Sequence, residues 1–449
     1  MDPVLLARIQ FAITVGFHFI FPPISIGLAW LLVIIEGKAW RTGDEGWERL
    51  GRFFAKLLAI NFAVGVATGI VMEFQFGTNW AQYSRFVGDI FGAPLAAEGV
   101  FAFFLESGFL GLYLFGRGRV SKKVHWFSIL MVAVGATLSA FWIIVANSWQ
   151  QTPAGFVVQN GRAELVDFWA AVFNDSTLIR YFHTVDAAIV TGAFTMMGVS
   201  AYLILKGREV ELAKRSFKVS LVVGLVASLA QLTPLGHMHA QQVARTQPAK
   251  LAAFEGLYET TERAPMVLFA LPSSGPPPRL KAAIEIPGLL SWLAFGDVNA
   301  QVTGLEQFPE DEVPPLWMTF VSFHNMVILG TYFIGFTALG VLLLWLGKLW
   351  GSNLFMKLAV LSIPLPVAAN EFGWVAAEVG RQPWIVYPVP GVFEGLKTAD
   401  AISRSVSTSE IWISMIGFTL IYLLLFALYV YLMFREGSHG PAPLEAKEG

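Results

Sequence analysis

The 449-residue chain contains no cysteine. That excludes structural disulfides, thiolate ligands to haem iron and cysteine-held iron–sulfur clusters. Charge is scarce too, at 14% Asp, Glu, Lys and Arg, and the formal net charge is −2. No basic cluster stands out, which argues against a nucleic-acid partner. A soluble domain of this length needs more charge to cover its surface. There is no short-period repeat and no stretch that reads as a soluble domain.

What is present is apolar. Hydrophobic residues make up 55% of the chain, and the mean hydropathy is +0.60. Runs such as Ile411 to Phe434 contain no charged residue and are long enough to cross roughly 30 Å of hydrocarbon. Nine spans are expected, at about 11–35, 53–76, 92–115, 126–146, 183–205, 219–236, 317–346, 356–374 and 411–434. The first run is too long for a cleavable signal and has no clear small-residue cleavage site, so it is expected to stay as the first span. The expected fold is an all-α, polytopic membrane helical bundle.

Basic residues sort the connections. Lys38, Arg41, Arg49 and Arg52 follow span 1; Arg117, Arg119, Lys122 and Lys123 follow span 3; Lys206, Arg208, Lys214, Arg215 and Lys218 follow span 5. The alternate connections are poorer, with only Arg85 in 77–91 and only Arg162 and Arg180 in 147–182. The positive-inside rule then sets the N-terminus outside and the C-terminus in the cytoplasm. The chain divides into spans 1 to 6 (1–236), a long outer loop (237–316) containing "LPSSGPPPR", spans 7 to 9 (317–434) and a cytoplasmic tail (435–449). A loop of that length without structure of its own is usually functional or disordered.

Polar residues inside the spans carry the functional signal, because ionised groups at membrane depth are costly. In "FHFIFPPIS", His18 precedes Pro22-Pro23, a pair that kinks the helix and frees carbonyls. A lone buried histidine is more often hydrogen-bonded structure than a ligand. His183 in "YFHTVDAAIV" and Met326 in "SFHNMVILG" stand at similar depth on different helices. They could supply the two axial ligands of a low-spin haem, or simply be an interfacial histidine and a packing methionine. Glu98 and Glu106 lie eight residues apart in "APLAAEGVFAFFLESGF", about 80° around an ideal helix and about 12 Å along it. That suits a carboxyl ladder for protons, with a pair of protonated structural carboxyls as the plainer reading. Glu73 and Glu371 add two more carboxyls at membrane depth. Glu378 and Arg381 in "VAAEVGRQPW", within segment 371–386, can pair along a last helical turn that Pro383 ends. An interfacial salt bridge is one reading; a haem ligand with a propionate-holding arginine is the other.

Together these strings resemble subunit I of the cytochrome bd-type quinol oxidases, along nearly the whole chain. The resemblance is dense in "RIQFAITVGFHFIF", "INFAVGVATGIVMEFQFGTNW", "VGDIFGAPLAAEGVFAFFLES", "LSAFWIIVANSWQ", "KLAAFEG" and "GWVAAEVGRQPW". It implies a terminal oxidase that takes electrons from a membrane quinol on the outer side and reduces O2 to water with cytoplasmic protons, without pumping. It implies three haems: low-spin b558, high-spin b595 and the chlorin haem d, or a second high-spin haem b in a chlorin-free variant. His183 and Met326 match the low-spin ligands. His18 and Glu378 match the ligands of the high-spin pair, with their order open, and Glu98 matches a further acidic residue there. Trp374 matches an aromatic between haems, Arg381 a haem-supporting arginine and Glu106 the proton path. The outer loop, of the short type, would bind quinol through Lys250 and Glu255, for which a solvated surface ion pair is the alternative. Implied partners are a second membrane subunit and a small single-span subunit, in a bacterial or archaeal cytoplasmic (inner) membrane.

Two departures stand out. His324 occupies a position where the family commonly has an arginine, and His237 and His239 replace expected acidic residues. These three histidines could cluster at the quinol site, although ordinary loop positions are the favoured reading for them. A non-redox, proton-coupled transporter is the competing class, but it leaves the His183 and Met326 pair unexplained. A haem–copper oxidase would need more intramembrane histidines than the seven in the chain supply.

Overall fold

The computed structural model describes residues 2–273 and 279–443. The centre of "LPSSGPPPR" and the end of the expected tail lie outside the described residues. Among those residues, nine helical segments are long and apolar enough to span a membrane. They are Pro3–Thr42, Glu45–Thr78, Ala81–Phe115, Lys122–Gln151, Thr177–Leu205, Val210–Thr246, Leu316–Trp345, Asn353–Val379 and Thr408–His439. All nine expected spans are present, and the helices overrun their apolar segments because flanking polar turns continue the backbone ladder. The last helix takes in residues 435–439, expected to be tail.

Several spans are not straight, and prolines mark the breaks. Span 1 divides into Pro3–Phe19 and Phe21–Thr42, with Pro22 and Pro23 in the first turn of the second helix, where a missing N–H costs little. The carbonyl of Phe21 accepts from Asn61 Nδ2 at 2.8 Å, and Asn61 Nδ2 also reaches Ser25 Oγ at 2.8 Å. In span 3, Pro94 precedes a π-helical turn, Glu98–Phe103. In span 6, a second π turn, Gln231–Gly236, contains Pro234, and Thr233 is extended at φ −144°. The helix then resumes as His237–Thr246. Residues 237–246 are therefore helix, not the start of a loop: the backbone kinks at Thr233 and a second helix begins beyond Pro234.

The rest of the long connection, among the described residues, is folded. Helix Pro248–Glu255 is followed by a hairpin of Met266–Ser273 with Arg279–Ile286, helix Leu289–Phe295, and a short pairing of Thr261–Glu262 with Gln301–Val302. Among the described residues, four short two-stranded sheets thus decorate the connections of a helical bundle. The connection is anchored on span 7: Phe254 stacks on Phe323 at 4.4 Å, and Val267 packs with Phe320.

The largest core joins spans 1 to 6 through residues such as Leu28, Leu32, Phe54, Leu57, Ile129 and Met196. Spans 1 and 5 touch backbone to backbone: a Cβ on Gly27 would lie 2.6 Å from Gly192 Cα. Such small-residue crossings let membrane helices gain close packing where no hydrophobic force drives them together. At one end of the bundle the basic connections are laced together. Arg49 pairs with Glu209 at 2.7 Å, Arg215 with Asp44 at 2.7 Å, and Arg117 with buried Glu36, which also accepts from Tyr113 Oη at 2.9 Å.

Candidate functional site

One cavity of about 1580 Å³ runs between the spans. It exceeds the roughly 300–1,000 Å³ of an ordinary small-molecule pocket. His18, Glu98, Glu106, His183, Lys250, Glu255, Met326, Trp374, Glu378 and Arg381 all line it, as do Glu73 and His239. The breaks in spans 1, 3 and 6 position this lining, since each frees a polar turn inside the bundle.

His18 is held by Thr68. The Thr68 hydroxyl lies 3.0 Å from His18 Nδ1 and also reaches the Val64 and Gly65 carbonyls at 3.0 Å. Its single proton serves a helix carbonyl, so Nδ1–H donates to the hydroxyl and Nε2 keeps a free lone pair. Orientation of one ring nitrogen by a second partner is how histidine is readied as a metal ligand. Gly69 leaves room beside it: a Cβ there would lie 3.1 Å from His18 Cε1.

His183 is flanked by Gln231, whose Nε2 is 3.1 Å from His183 Nε2, and by His239, with ring centroids 5.0 Å apart. His239 is thus a cavity residue on a helix, against the loop reading; the π turn at Gln231–Gly236 carries it there. Met326 abuts Gly373, where a Cβ would lie 2.9 Å from the sulfur. Glycines therefore keep space open beside both His18 and Met326.

Glu98 accepts from Ser139 Oγ at 2.7 Å, and Glu106 is buried against Gly135. Because Glu98 opens a π turn, the ideal 100° per residue does not hold between them, and the 80° offset is set aside. Both carboxyls still line the same cavity. Glu371 lies outside that lining, with its Oε1 unpartnered.

Glu378 ends helix Leu365–Val379 and pairs with Arg381: Nη2 to Oε2 is 2.5 Å. Asn147 Nδ2 donates to Glu378 Oε1 at 3.0 Å, and Arg381 Nη1 donates to the Ile385 carbonyl at 2.6 Å. Arg180 completes the chain through Asn147 Oδ1 at 2.5 Å and Ser148 Oγ at 3.3 Å. Asn147, Thr68 and Gln231 were not singled out in the sequence, and Arg180 was noted only as a charge in the 147–182 connection. Arg180 was detectable as a cation three residues before His183, but it fell just outside the apolar window.

Lys250 and Glu255 bond to different partners and are both 3% exposed, which overturns the solvated-pair alternative. Helix Pro248–Glu255 buries them at different places. Lys250 Nζ donates to Gln151 Oε1 at 2.5 Å and Gln247 Oε1 at 2.7 Å. Burial, then the nearby Arg180, push its ammonium well below the usual lysine value. Glu255 accepts from the Val267 amide at 3.1 Å, and burial raises its carboxyl to about 7. His324 is not in the cavity lining: its Nδ1 faces the Phe320 carbonyl and its Nε2 the Val267 carbonyl, each at 2.9 Å. His237 sits by Trp292, so the three histidines have separate neighbours and the imagined cluster does not form. The hairpin explains it, since Val267 claims His324.

Among the described residues no three His, Asp or Glu side chains converge as a metal-holding group. His18, His183, Met326 and Glu378 are instead spread along a large, mostly apolar cavity. That arrangement fits iron carried inside flat rings that supply most of its donors, with one or two protein ligands each. The residues present fit haem.

Fold and site together define a multi-pass membrane protein hollowed around prosthetic groups. The chain belongs to the cytochrome bd terminal oxidase subunit I family, whose model matches residues 6–441. It is 41% identical to cytochrome bd ubiquinol oxidase subunit 1 of Bacillus subtilis (strain 168), over 98% of this chain and 94% of that one. It is 36% identical to cytochrome bd-II ubiquinol oxidase subunit 1 of Escherichia coli (strain K12), over 100% of this chain and 98% of that one. The solved bd oxidase from Geobacillus thermodenitrificans superposes with a TM-score of 0.90 at 32% identity, covering 98% of this chain and 99% of the other.

Proposed function

We propose that the chain is the haem-bearing subunit of a quinol:O2 oxidoreductase. The observation that carries this is the single cavity joining His18, His183, Met326 and Glu378 to Lys250 and Glu255. His183 and Met326 are read as the axial ligands of low-spin haem b558. His18 and Glu378 are read as ligands of the high-spin pair, b595 and either d or a second haem b, with Trp374 between haems. When bound, the haems accept electrons singly from quinol and deliver them to O2.

The chain's own residues handle position and protons. Lys250 holds a quinol hydroxyl, and Glu255, near neutral in its titration, takes a quinol proton and releases it outside. Arg381 steadies Glu378 in the O2-reducing region. Glu106 and Glu98 hold protons arriving from the cytoplasm. Drawing electrons from outside and protons from inside separates charge without a pump.

The basic connections support an outer N-terminus and a cytoplasmic C-terminus. A second membrane subunit, with a small single-span subunit, is the expected assembly in a bacterial or archaeal cytoplasmic membrane. Met326→Leu tests the ligand assignment by reduced-minus-oxidised spectroscopy. The low-spin signal should vanish while high-spin signals persist; an unchanged low-spin signal rejects it.

A further inference from the structure

The connection between spans 6 and 7 carries an open apolar face. In the hairpin of Met266–Ser273 with Arg279–Ile286, the side chains of Leu268, Phe269, Leu271, Ile284 and Ile286 are between 40% and 59% exposed. Phe269 stands directly opposite Ile284, and the register shifts on either side of Phe269. A regular strand alternates its faces; the bulges leave the neighbours Leu268 and Phe269 both open. Val267 and Ala270, on the same strand, are buried and pack with Phe320 of span 7. One side of the hairpin thus grips span 7 while the other presents clustered apolar side chains, the mark of an interaction surface.

Span 7 gives the depth of that surface. Trp317 and Trp345 stand near its two ends, 63% and 82% exposed. At 1.5 Å per residue they are about 42 Å apart along the helix. That matches a bilayer with its headgroup layers, about 40–45 Å, where exposed tryptophans prefer to lie. The hydrocarbon, about 30 Å thick, then begins about 6 Å inside Trp317. Val267 lies deeper: its carbonyl meets His324 Nε2 at 2.9 Å, and His324 is about 10 Å along the helix from Trp317. The root of the hairpin is therefore level with hydrocarbon, beside the exposed Trp317 and Met318 of span 7.

We propose that the open face of this hairpin, centred on Phe269 and Ile284, is seated in the lipid of the leaflet at the Trp317 end of the bundle. Its occupant is phospholipid, because the face lies at hydrocarbon level and continues the lipid-facing surface of span 7. Lys281, opposite Leu271, has a stem long enough to carry its charge back to the headgroups. Apolar side chains lying in the interface with charge reaching out of it make a monotopic anchor. The seating also bears on Glu255. Val267 donates its amide to Glu255 Oε2 at 3.1 Å while its carbonyl faces His324, so anchoring the hairpin holds Glu255 where a quinol travelling in the bilayer can reach it. That use alone rests on the quinol reading above.

The absence of cysteine makes the test direct. Phe269→Cys and Ile284→Cys each give this chain a single thiol for a nitroxide label. The assembled oxidase is reconstituted in vesicles of phosphatidylethanolamine and phosphatidylglycerol, and label on partner subunits is subtracted with the unsubstituted assembly. Power saturation then compares collisions with O2, which concentrates in lipid, and with a water-soluble nickel chelate. Both labels should favour O2 and read a depth below the phosphates, calibrated with spin-labelled phospholipids. Labels open to the nickel chelate overturn the seating, and so do labels shielded from both agents, which would put a protein on the face. If either variant fails to assemble with haem, Leu271→Cys gives the same reading. Phe269→Asp should raise the KM for a long-tailed quinol several-fold with the haem spectrum unchanged; an unmoved KM overturns the link to Glu255. An unsubstituted assembly without quinol turnover, its labelled variants still at depth, overturns the quinol reading and not the seating.

Discussion

Glu255 shows how one buried carboxyl can set a pH profile. Burial lifts it to about 7, so it is protonated below that pH and able to accept a quinol proton above it. Turnover should rise as pH increases through about 7 and then level off. Glu255→Gln should lower turnover and remove that limb while leaving the haem spectrum intact; a retained limb would assign it to another group. The chemistry of such residues was legible in part. His18, His183, Met326, Glu378 and Arg381 stand out in sequence because each is a polar or sulfur-bearing side chain where hydrocarbon is expected. Thr68 and Asn147 did not, because hydroxyl and amide residues are ordinary in helices and only their partners reveal their use. His239 was misread because a proline three residues before His237 signals a helix end; the chain does kink there, but it resumes as helix at once, which no local signal announces.

At the scale of elements, span number and order follow from hydropathy, since backbone groups in lipid must be satisfied within helices. The breaks decide the site, and sequence marks them only as prolines. Pro22 and Pro23 signal the division of span 1, but nothing local says that Asn61 would cap the freed carbonyl. The connection between spans 6 and 7 was least legible: its hairpin pairs residues over a register with bulges and is held against span 7 by tertiary contacts. Packing between spans is similarly non-local. Gly27→Leu would force spans 1 and 5 apart at their closest approach, and overpacking of this kind costs about 1–3 kcal/mol. Thermal unfolding monitored by haem release should shift to lower temperature; an unmoved transition would show that the crossing is not tight.

At the scale of the whole molecule, the chain is a scaffold that keeps an interior volume open. Its glycines beside His18 and Met326 and its buried carboxyls line a cavity far larger than a small transported solute needs. On the proposed reading Met326 is a sulfur ligand, for which a transporter has no use. The central claim is that these features hold redox-active haem at which O2 is reduced. The most direct measurement is a dithionite-reduced minus oxidised visible spectrum of the purified protein, with and without carbon monoxide. Low-spin haem b together with a carbon-monoxide-sensitive high-spin haem is the predicted result, and a chlorin band would identify haem d among them. A well-folded, assembled preparation with no haem would contradict the account.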